Sequence, residues 1–224
     1  MKLTHSFRTL AVCAGALATL ATAQTVTVVE YRNKTLDAYF ITGCAAEQAA
    51  LNAIPDFVRT GMSFQASAAA TAPSTFTRVC RFYVSIANPF VSSHFYGRQG
   101  TDCKAILALN PAGFSYEGFD FAAQVPANLV CPPGTMPVYR SFRALTNGVT
   151  SNHRYTVTPA TYTSAASAGY ALEGAQFCVP LKLWSLCVRK RSICVILPER
   201  LWRFLELKHR ALHEAPGQKG HTHA

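Results

Sequence analysis

The stretch "FSYEGFDF", residues 114–121, carries the spacing that decides the fold: an aromatic residue, then a glycine four positions later, then Phe three positions after the glycine. The same spacing occurs in "FVRTGMSF", residues 57–64, and in "YALEGAQF", residues 170–177. The three glycines, Gly61, Gly118 and Gly174, lie almost evenly along the chain. Such a constant period indicates a repeated structural unit.

A glycine inside a strand is typical of a β-bulge, where an extra residue shifts the alternation of side chains. Without a bulge, Phe114 and Phe121 would point to opposite faces of their strand, because they are an odd number of residues apart. We therefore expect bulges at Gly61, Gly118 and Gly174. These bulges would bring six aromatic rings into one shared core.

The same order of elements surrounds each glycine: strand, strand, helix, strand. The helix of the first copy is predicted over Ala45–Ala53, and that of the third begins with Thr158 and Pro159, a good N-cap followed by a proline that suits the first helical turn. The first strands are rich in β-branched and aromatic residues and are predicted over Val28–Arg32, Val79–Val84 and Val138–Phe142. We expect an α+β, mainly β fold of three pseudo-symmetric strand-strand-helix-strand units around one shared core.

The chain divides into three regions. Residues 1–23 have a basic start, an apolar stretch and a small-residue cleavage pattern, which predict a signal peptide. Residues 24–180 are predicted to form a single domain of three repeats, at about 28–66, 79–123 and 137–180. Residues 181–224 differ in composition and form a basic tail. This organisation predicts a secreted or periplasmic protein.

The basic character of the chain is concentrated in the tail. The formal net charge is +10, and residues 181–224 hold nine Lys and Arg against three Asp and Glu. The repeat core has no nucleic-acid signature. The tail is predicted to be an amphipathic helix, starting near Pro198 and able to contact an anionic surface, or to be disordered. An extension read out of frame is a further interpretation.

Seven cysteines remain after the predicted cleavage, and in an oxidising compartment most should pair. We predict disulfides Cys80–Cys103 and Cys131–Cys178, each stapling one unit. Cys44 has no partner within its own unit. Neither cysteines nor histidines show the spacing of zinc ligands, and we expect no metal and no cofactor.

Two sets of polar residues occupy matching positions in the second and third units. The candidate binding residues are Arg81, His94 and Glu117 in the second unit and Arg140, His153 and Glu173 in the third. The first unit lacks the histidine and the glutamate. Each set could form a polar site through charge-assisted hydrogen bonds, or could hold neighbouring strands together.

Catalytic motifs are absent: the chain has no G-x-S-x-G, H-E-x-x-H or G-x-x-x-x-G-K sequence. A Cys103–His94 nucleophile pair and paired carboxylates among Asp102, Glu117 and Asp120 remain as hypotheses. A disulfide is the preferred interpretation of Cys103 in an exported chain.

The order "VCRFY…SHFY…FSYEGFDF" and "PVYRSF…NHRYT…YALEGAQF" resembles a secreted bacterial repeat domain of unknown function, over about residues 27–180. Its loose pattern is Val-x-Arg-aromatic-Tyr, His-Phe-Tyr-Thr, then Trp-x-x-Glu-Gly-x-x-Phe. The first unit departs from it, with Ala38 at the histidine and Thr60 at the glutamate, and the third has Arg154 at an aromatic position. Members occur alone or appended to extracellular peptidases and other hydrolases. The resemblance implies architecture and secretion, and no activity.

We therefore expect a secreted, non-catalytic binding or accessory module for an extracellular glycan or protein. One alternative is a secreted hydrolase with a site near His94, Arg81 and Glu117. The other is a purely structural repeat domain. The oligomeric state stays open at this point.

Overall fold

The computed structural model describes residues 24–87, 90–146 and 150–181, together with the strand placement of Leu183–Val188 and Ile193–Pro198. The predicted signal peptide, residues 1–23, and the helix predicted beyond Pro198 lie outside the described residues.

The fold is α+β and mainly β, and the order strand, strand, helix, strand occurs three times in it. The first segment comprises β1 (Thr25–Asn33), β2 (Ala38–Thr42), α1 (Ala45–Asn52) and β3 (Phe57–Ala68). The second segment comprises β4 (Thr77–Ala87), β5 (Phe90–Arg98), a π-helical turn (Gln99–Cys103), α2 (Lys104–Leu109) and β6 (Phe114–Ala123). The third segment comprises β7 (Thr135–Arg143), β8 (Asn152–Thr156), α3 (Pro159–Ser164), a 3₁₀ turn (Ala165–Ala168) and β9 (Ala171–Pro180).

The nine strands of these segments form two antiparallel sheets, and one pair of backbone hydrogen bonds joins the sheets. The larger has the order β2-β1-β3-β6-β4-β5 and the smaller the order β8-β7-β9. Gln124, just after β6, exchanges two backbone hydrogen bonds with Cys178 of β9, at 3.1 and 2.8 Å. The middle segment is thereby joined to both of its neighbours, because β6 also pairs with the end of β3.

The second strand of each segment meets the other two. Strands β2, β5 and β8 contact one another. The hydroxyl of Tyr96 on β5 donates to the carbonyl of Ile41 on β2, and the hydroxyl of Tyr155 on β8 donates to the carbonyl of Tyr96 at 2.8 Å. The amide of Asn152 on β8 bonds both backbone groups of Tyr39 on β2, at 2.9 and 3.0 Å. Side chains thus link the second strands pair by pair.

The main core draws on all three segments, because the apolar alternation of their strands points inward. Its largest fully buried side chains include Tyr31, Tyr96, Tyr155, Phe121 and Phe177. Burying each such ring stabilises the fold by roughly 1.5 to 3 kcal/mol. A second, smaller cluster in the middle segment surrounds Cys80, Phe82 and Cys103, and α2 covers it through Ile106.

The bulges predicted at the three glycines are confirmed. Gly61, Gly118 and Gly174 have φ of +89°, +96° and +81°, and the register shifts beside each of them. A positive φ is open to glycine at little cost.

The prediction that all six flanking rings share one core is wrong for Phe114 and for Tyr170, neither of which lies in the main core. Around Gly118 the pairing of β6 with β4 passes over two residues and not one, so the alternation is restored, and the same count holds around Gly61 and Gly174. Phe121 therefore lies in the main core, whereas Phe114 packs on the opposite face in the smaller cluster. A single extra residue would have moved Phe114 to the other face.

Both predicted disulfides are present, and they confirm the pairing of Cys80 with Cys103 and of Cys131 with Cys178. The Cα atoms are 6.1 and 5.5 Å apart. Cys44 has a free, exposed thiol.

Beyond the third segment, Leu183–Val188 and Ile193–Pro198 pair as an antiparallel hairpin, β10 and β11. Cys187 and Cys194 are direct register partners in the hairpin. None of the helices in the described part of the chain is both long and apolar enough to cross a membrane.

Candidate functional site

Arg81, His94 and Glu117 converge on the surface of three adjacent strands, β4, β5 and β6. The Nε of Arg81 lies 2.7 Å from Oε2 of Glu117, and Nε2 of His94 lies 3.3 Å from the same oxygen. The antiparallel register explains the geometry, because Arg81 faces Gly118, the bulge glycine next to Glu117. The three residues of the first candidate set therefore lie together.

Arg140, His153 and Glu173 form a matching set on β7, β8 and β9. The Nε of Arg140 lies 2.7 Å from Oε2 of Glu173, and Nε2 of His153 lies 3.8 Å from that oxygen. Among the described residues, no ion pair or hydrogen bond joins this set to the first one. The molecule therefore has two separate Arg-Glu-His sets.

Each arginine of the two sets also lies over an aromatic ring of the preceding segment. The guanidinium of Arg81 is 5.4 Å from the ring centre of Phe40 on β2, and that of Arg140 is 5.3 Å from Phe95 on β5. The histidines follow the same rule, since His94 packs on Phe40 at 4.5 Å and His153 on Phe95 at 5.1 Å. The two sets thus lie at the junctions between segments, where cation–π contacts add to the ion pairs.

Glu47 on α1 completes the first set, and the sequence did not point to it. Its Oε2 accepts from Nη1 of Arg81 at 2.7 Å, so this arginine bridges two carboxylates of different segments. Nη1 of Arg140 is buried and has no hydrogen-bond partner among the described residues. The two sets therefore differ in how fully their arginine is satisfied.

The first segment closes against the third through an inverted pair. Glu30, at the position of the arginine in the other segments, is fully buried and accepts from Nε and Nη2 of Arg154 at 3.0 and 3.2 Å. The hydroxyl of Thr60 donates to Glu30 at 2.5 Å. Arg154 also stacks over Tyr39 at 3.7 Å. The departures at Thr60 and Arg154 are thus mutually compensating, and their joint occurrence with Glu30 is the sequence signal for this pair.

The pKa values of His153 and Glu117 are both displaced away from neutral pH. Burial, helped by the charge of Arg140, lowers the pKa of His153 to about 3, so this imidazole is neutral. The hydrogen bond from His94 and the charge of Arg81 hold the pKa of Glu117 below its ordinary value, although partial burial opposes them. A general base or acid performs best when its pKa lies near the working pH.

The structure also bears on the two other catalytic hypotheses, the Cys103–His94 pair and the paired carboxylates. Cys103 is in a disulfide, so a Cys103–His94 nucleophile pair is excluded. Asp102 accepts from the backbone N–H of Arg98 at 3.0 Å and pairs with its guanidinium at 3.3 Å. Burial raises the pKa of Asp120 to about 6, and both of its oxygens lie within 3.2 Å of the N–H of Gly43. The described residues contain no cluster of three or more His, Cys, Asp or Glu side chains able to hold a metal ion.

Comparisons with protein-family models, with curated proteins and with solved structures found no match to this chain.

Proposed function

We propose that the protein is a secreted, non-catalytic binding or accessory module for an extracellular glycan. One observation carries the non-catalytic part: Arg81 is bound on two sides, to Glu117 of its own segment and Glu47 of the preceding one. A residue engaged in this way joins segments and is not available to a substrate.

The proposal includes three copies of one unit arranged around a common axis. The contacts among the second strands support it, because Tyr96 and Tyr155 each donate to the second strand of the preceding segment. The aromatic residues that end the repeated motif support it as well. Phe121 packs edge-to-face against both Phe64 and Phe177, at 5.7 and 5.8 Å.

Export is part of the same proposal. The two disulfides are typical of an oxidising compartment. The basic start, apolar stretch and cleavage pattern of residues 1–23 supply a route to it. The resemblance to a secreted bacterial repeat remains a prediction that agrees with this location.

The hydrolase alternative has one observation in its favour. Glu117 and Asp120 both interact with the charge of Arg81, and their pKa values are displaced in opposite directions. Such a separation distinguishes the acid from the base in many glycosidases. Both carboxylates are nevertheless engaged inside the protein, Glu117 with Arg81 and His94 and Asp120 with the N–H of Gly43.

The test uses the exported chain on a microarray of extracellular polysaccharides, together with an assay for newly released reducing ends. We expect retention of at least one polysaccharide and no product. The variant His94→Gln should bind as the wild type does and should unfold at a lower temperature. Product release that disappears in His94→Gln and Glu117→Gln, with both variants folded, would establish the hydrolase instead. Retention of no polysaccharide would contradict the glycan proposal.

A further inference from the structure

An exposed group of aromatic side chains lies on the outer face of β4 and β6, on the opposite side of the sheet from Arg81. Tyr116 and Phe119 flank the bulge at Gly118 and are 44% and 38% exposed. Their rings meet edge-to-face at 6.1 Å. The ring of Phe82 packs against that of Tyr116, with the ring centres 5.3 Å apart. We call Arg78, Tyr116 and Phe119 the aromatic face.

The repeated architecture does not account for the aromatic face. The positions that match Tyr116 and Phe119 hold Arg59 and Met62 in the first segment and Leu172 and Ala175 in the third. The Arg-Glu-His sets, in contrast, occur twice and lie at junctions. Aromatic residues that are exposed, and that only one of the three segments carries, are needed neither for the core nor for the repeat.

Arg78 supplies a positive charge beside these rings. Its guanidinium lies 5.9 Å from the ring centre of Phe119, and its Nε donates to the carbonyl of Ala69 at 3.0 Å. Among the arginines of the described residues, six form ion pairs with carboxylates, and Arg59 and Arg78 do not.

Arg59 and Arg78 differ in what lies beneath them. Arg59 lies over the buried ring of Tyr31 and bonds the side chain of Asn52. Arg78 lies over an exposed ring. The aromatic face is therefore the place where an unpaired guanidinium and solvent-accessible rings occur together.

The backbone between the two rings is open. A Cβ placed on Gly118 would meet no atom within 4 Å, although its φ of +96° restricts the position to glycine. Gly118 is the register partner of Arg81, so this open space lies on the Arg81 side of the sheet, and the aromatic face consists of side chains alone.

We propose that the aromatic face binds an acidic polysaccharide that contains uronate residues. The C–H face of a pyranose ring packs on Tyr116 and Phe119, as apolar surface packs on aromatic rings generally. The uronate carboxylate accepts from the Nη atoms of Arg78, since a guanidinium binds carboxylates through paired hydrogen bonds. This inference rests on the proposed glycan-binding function and names its site and ligand class.

The experiment measures binding of polygalacturonate and alginate oligosaccharides, and of a neutral cello-oligosaccharide, by isothermal titration calorimetry with the full exported chain. We expect Tyr116→Ala and Phe119→Ala each to weaken binding of the acidic oligosaccharides at least tenfold. Arg78→Gln should weaken binding of the acidic oligosaccharides alone. Leu172 is the exposed residue of the third segment that matches Tyr116. Leu172→Ala should change the binding of neither the acidic nor the neutral oligosaccharides.

The outcomes separate this inference from the function on which it rests. Acidic oligosaccharides that bind equally to the wild type and to the Tyr116 and Phe119 variants would overturn the site and leave glycan binding intact. Binding that survives in all variants and vanishes at high salt would assign it to the basic tail and also overturn the site. Absence of any glycan binding by the wild type would overturn both. Phe119→Leu, which keeps apolar volume, serves if Phe119→Ala does not fold, and we expect the same tenfold loss.

Discussion

Asp120 supplies a test of the electrostatics at the junction between the first two segments. Burial raises the pKa of its carboxyl group from 3.8 to about 6, against the opposing effects of Arg81 and the N–H of Gly43. The folded state therefore binds more protons than the unfolded state between about pH 4 and pH 6, and stability falls as the pH rises through this window. At about 1.4 kcal/mol per pKa unit, the ionised carboxylate destabilises the fold by about 3 kcal/mol at pH 8.

Asp120→Asn removes this charge and keeps an oxygen that can accept from Gly43. The matching positions in the other segments are already uncharged, Ser63 and Gln176. We expect the variant to be stabilised relative to the wild type at pH 8. The free energy of unfolding of the variant minus that of the wild type should be about 2 to 3 kcal/mol higher at pH 8 than at pH 4. Urea unfolding followed by circular dichroism at both pH values measures the difference.

Asp102→Asn is the control with the opposite sign. Burial alone would raise the pKa of Asp102, but the N–H and guanidinium of Arg98 lower it below 3.8. Its charged form therefore stabilises the fold, and the variant should lose stability at pH 8 and recover relative to the wild type at low pH. An effect of Asp120→Asn that is the same at pH 4 and pH 8 would refute the reasoning.

Three further changes test the packing. Replacing both Cys131 and Cys178 with Ser should lower the free energy of unfolding by about 4 kcal/mol, from the entropy of the opened loop, as measured by urea unfolding. Arg154→Met should lower it by about 3 to 5 kcal/mol, because the buried Glu30 loses its cation, and thermal unfolding should detect the loss. Gly118→Ala should lower it by about 1 to 2 kcal/mol, because alanine is strained at a φ of +96°.

Matched variants make these predictions refutable. Gly100→Ala introduces the same methyl group where no positive φ is recorded and no atom lies within 4 Å, and it should be nearly neutral. Adding Glu30→Gln to Arg154→Met removes the stranded charge, so the double variant should be more stable than Arg154→Met alone. Equal stability of these two variants, or of Gly118→Ala and Gly100→Ala, would contradict the corresponding argument.

Much of the fold could be predicted from local chemistry in the sequence. The spaced glycines predicted the bulges, the Thr158–Pro159 pair predicted the start of α3, and the cysteine positions predicted both disulfides. These features depend on backbone preferences or on a few residues, so a repeated pattern was enough to identify them.

The partnerships between segments could not be predicted, because they depend on which surfaces meet. Glu47 is an ordinary helix residue until α1 is placed against Arg81. The second extra residue at the bulge is likewise visible only in the strand pairing, and Phe114 lies in a separate cluster. The sequence identified the Arg-Glu-His residues, but only the packing assigns them to junctions.

The inverted pair between Glu30 and Arg154 also constrains the order in which the chain folds. The two residues are 124 positions apart, and the Asp37–Arg143 pair spans 106. Contacts of such long range slow folding, because the loop must close before they form. The first segment therefore has its buried acid unmatched, and it remains open to chaperones and proteases, until the third segment is in place.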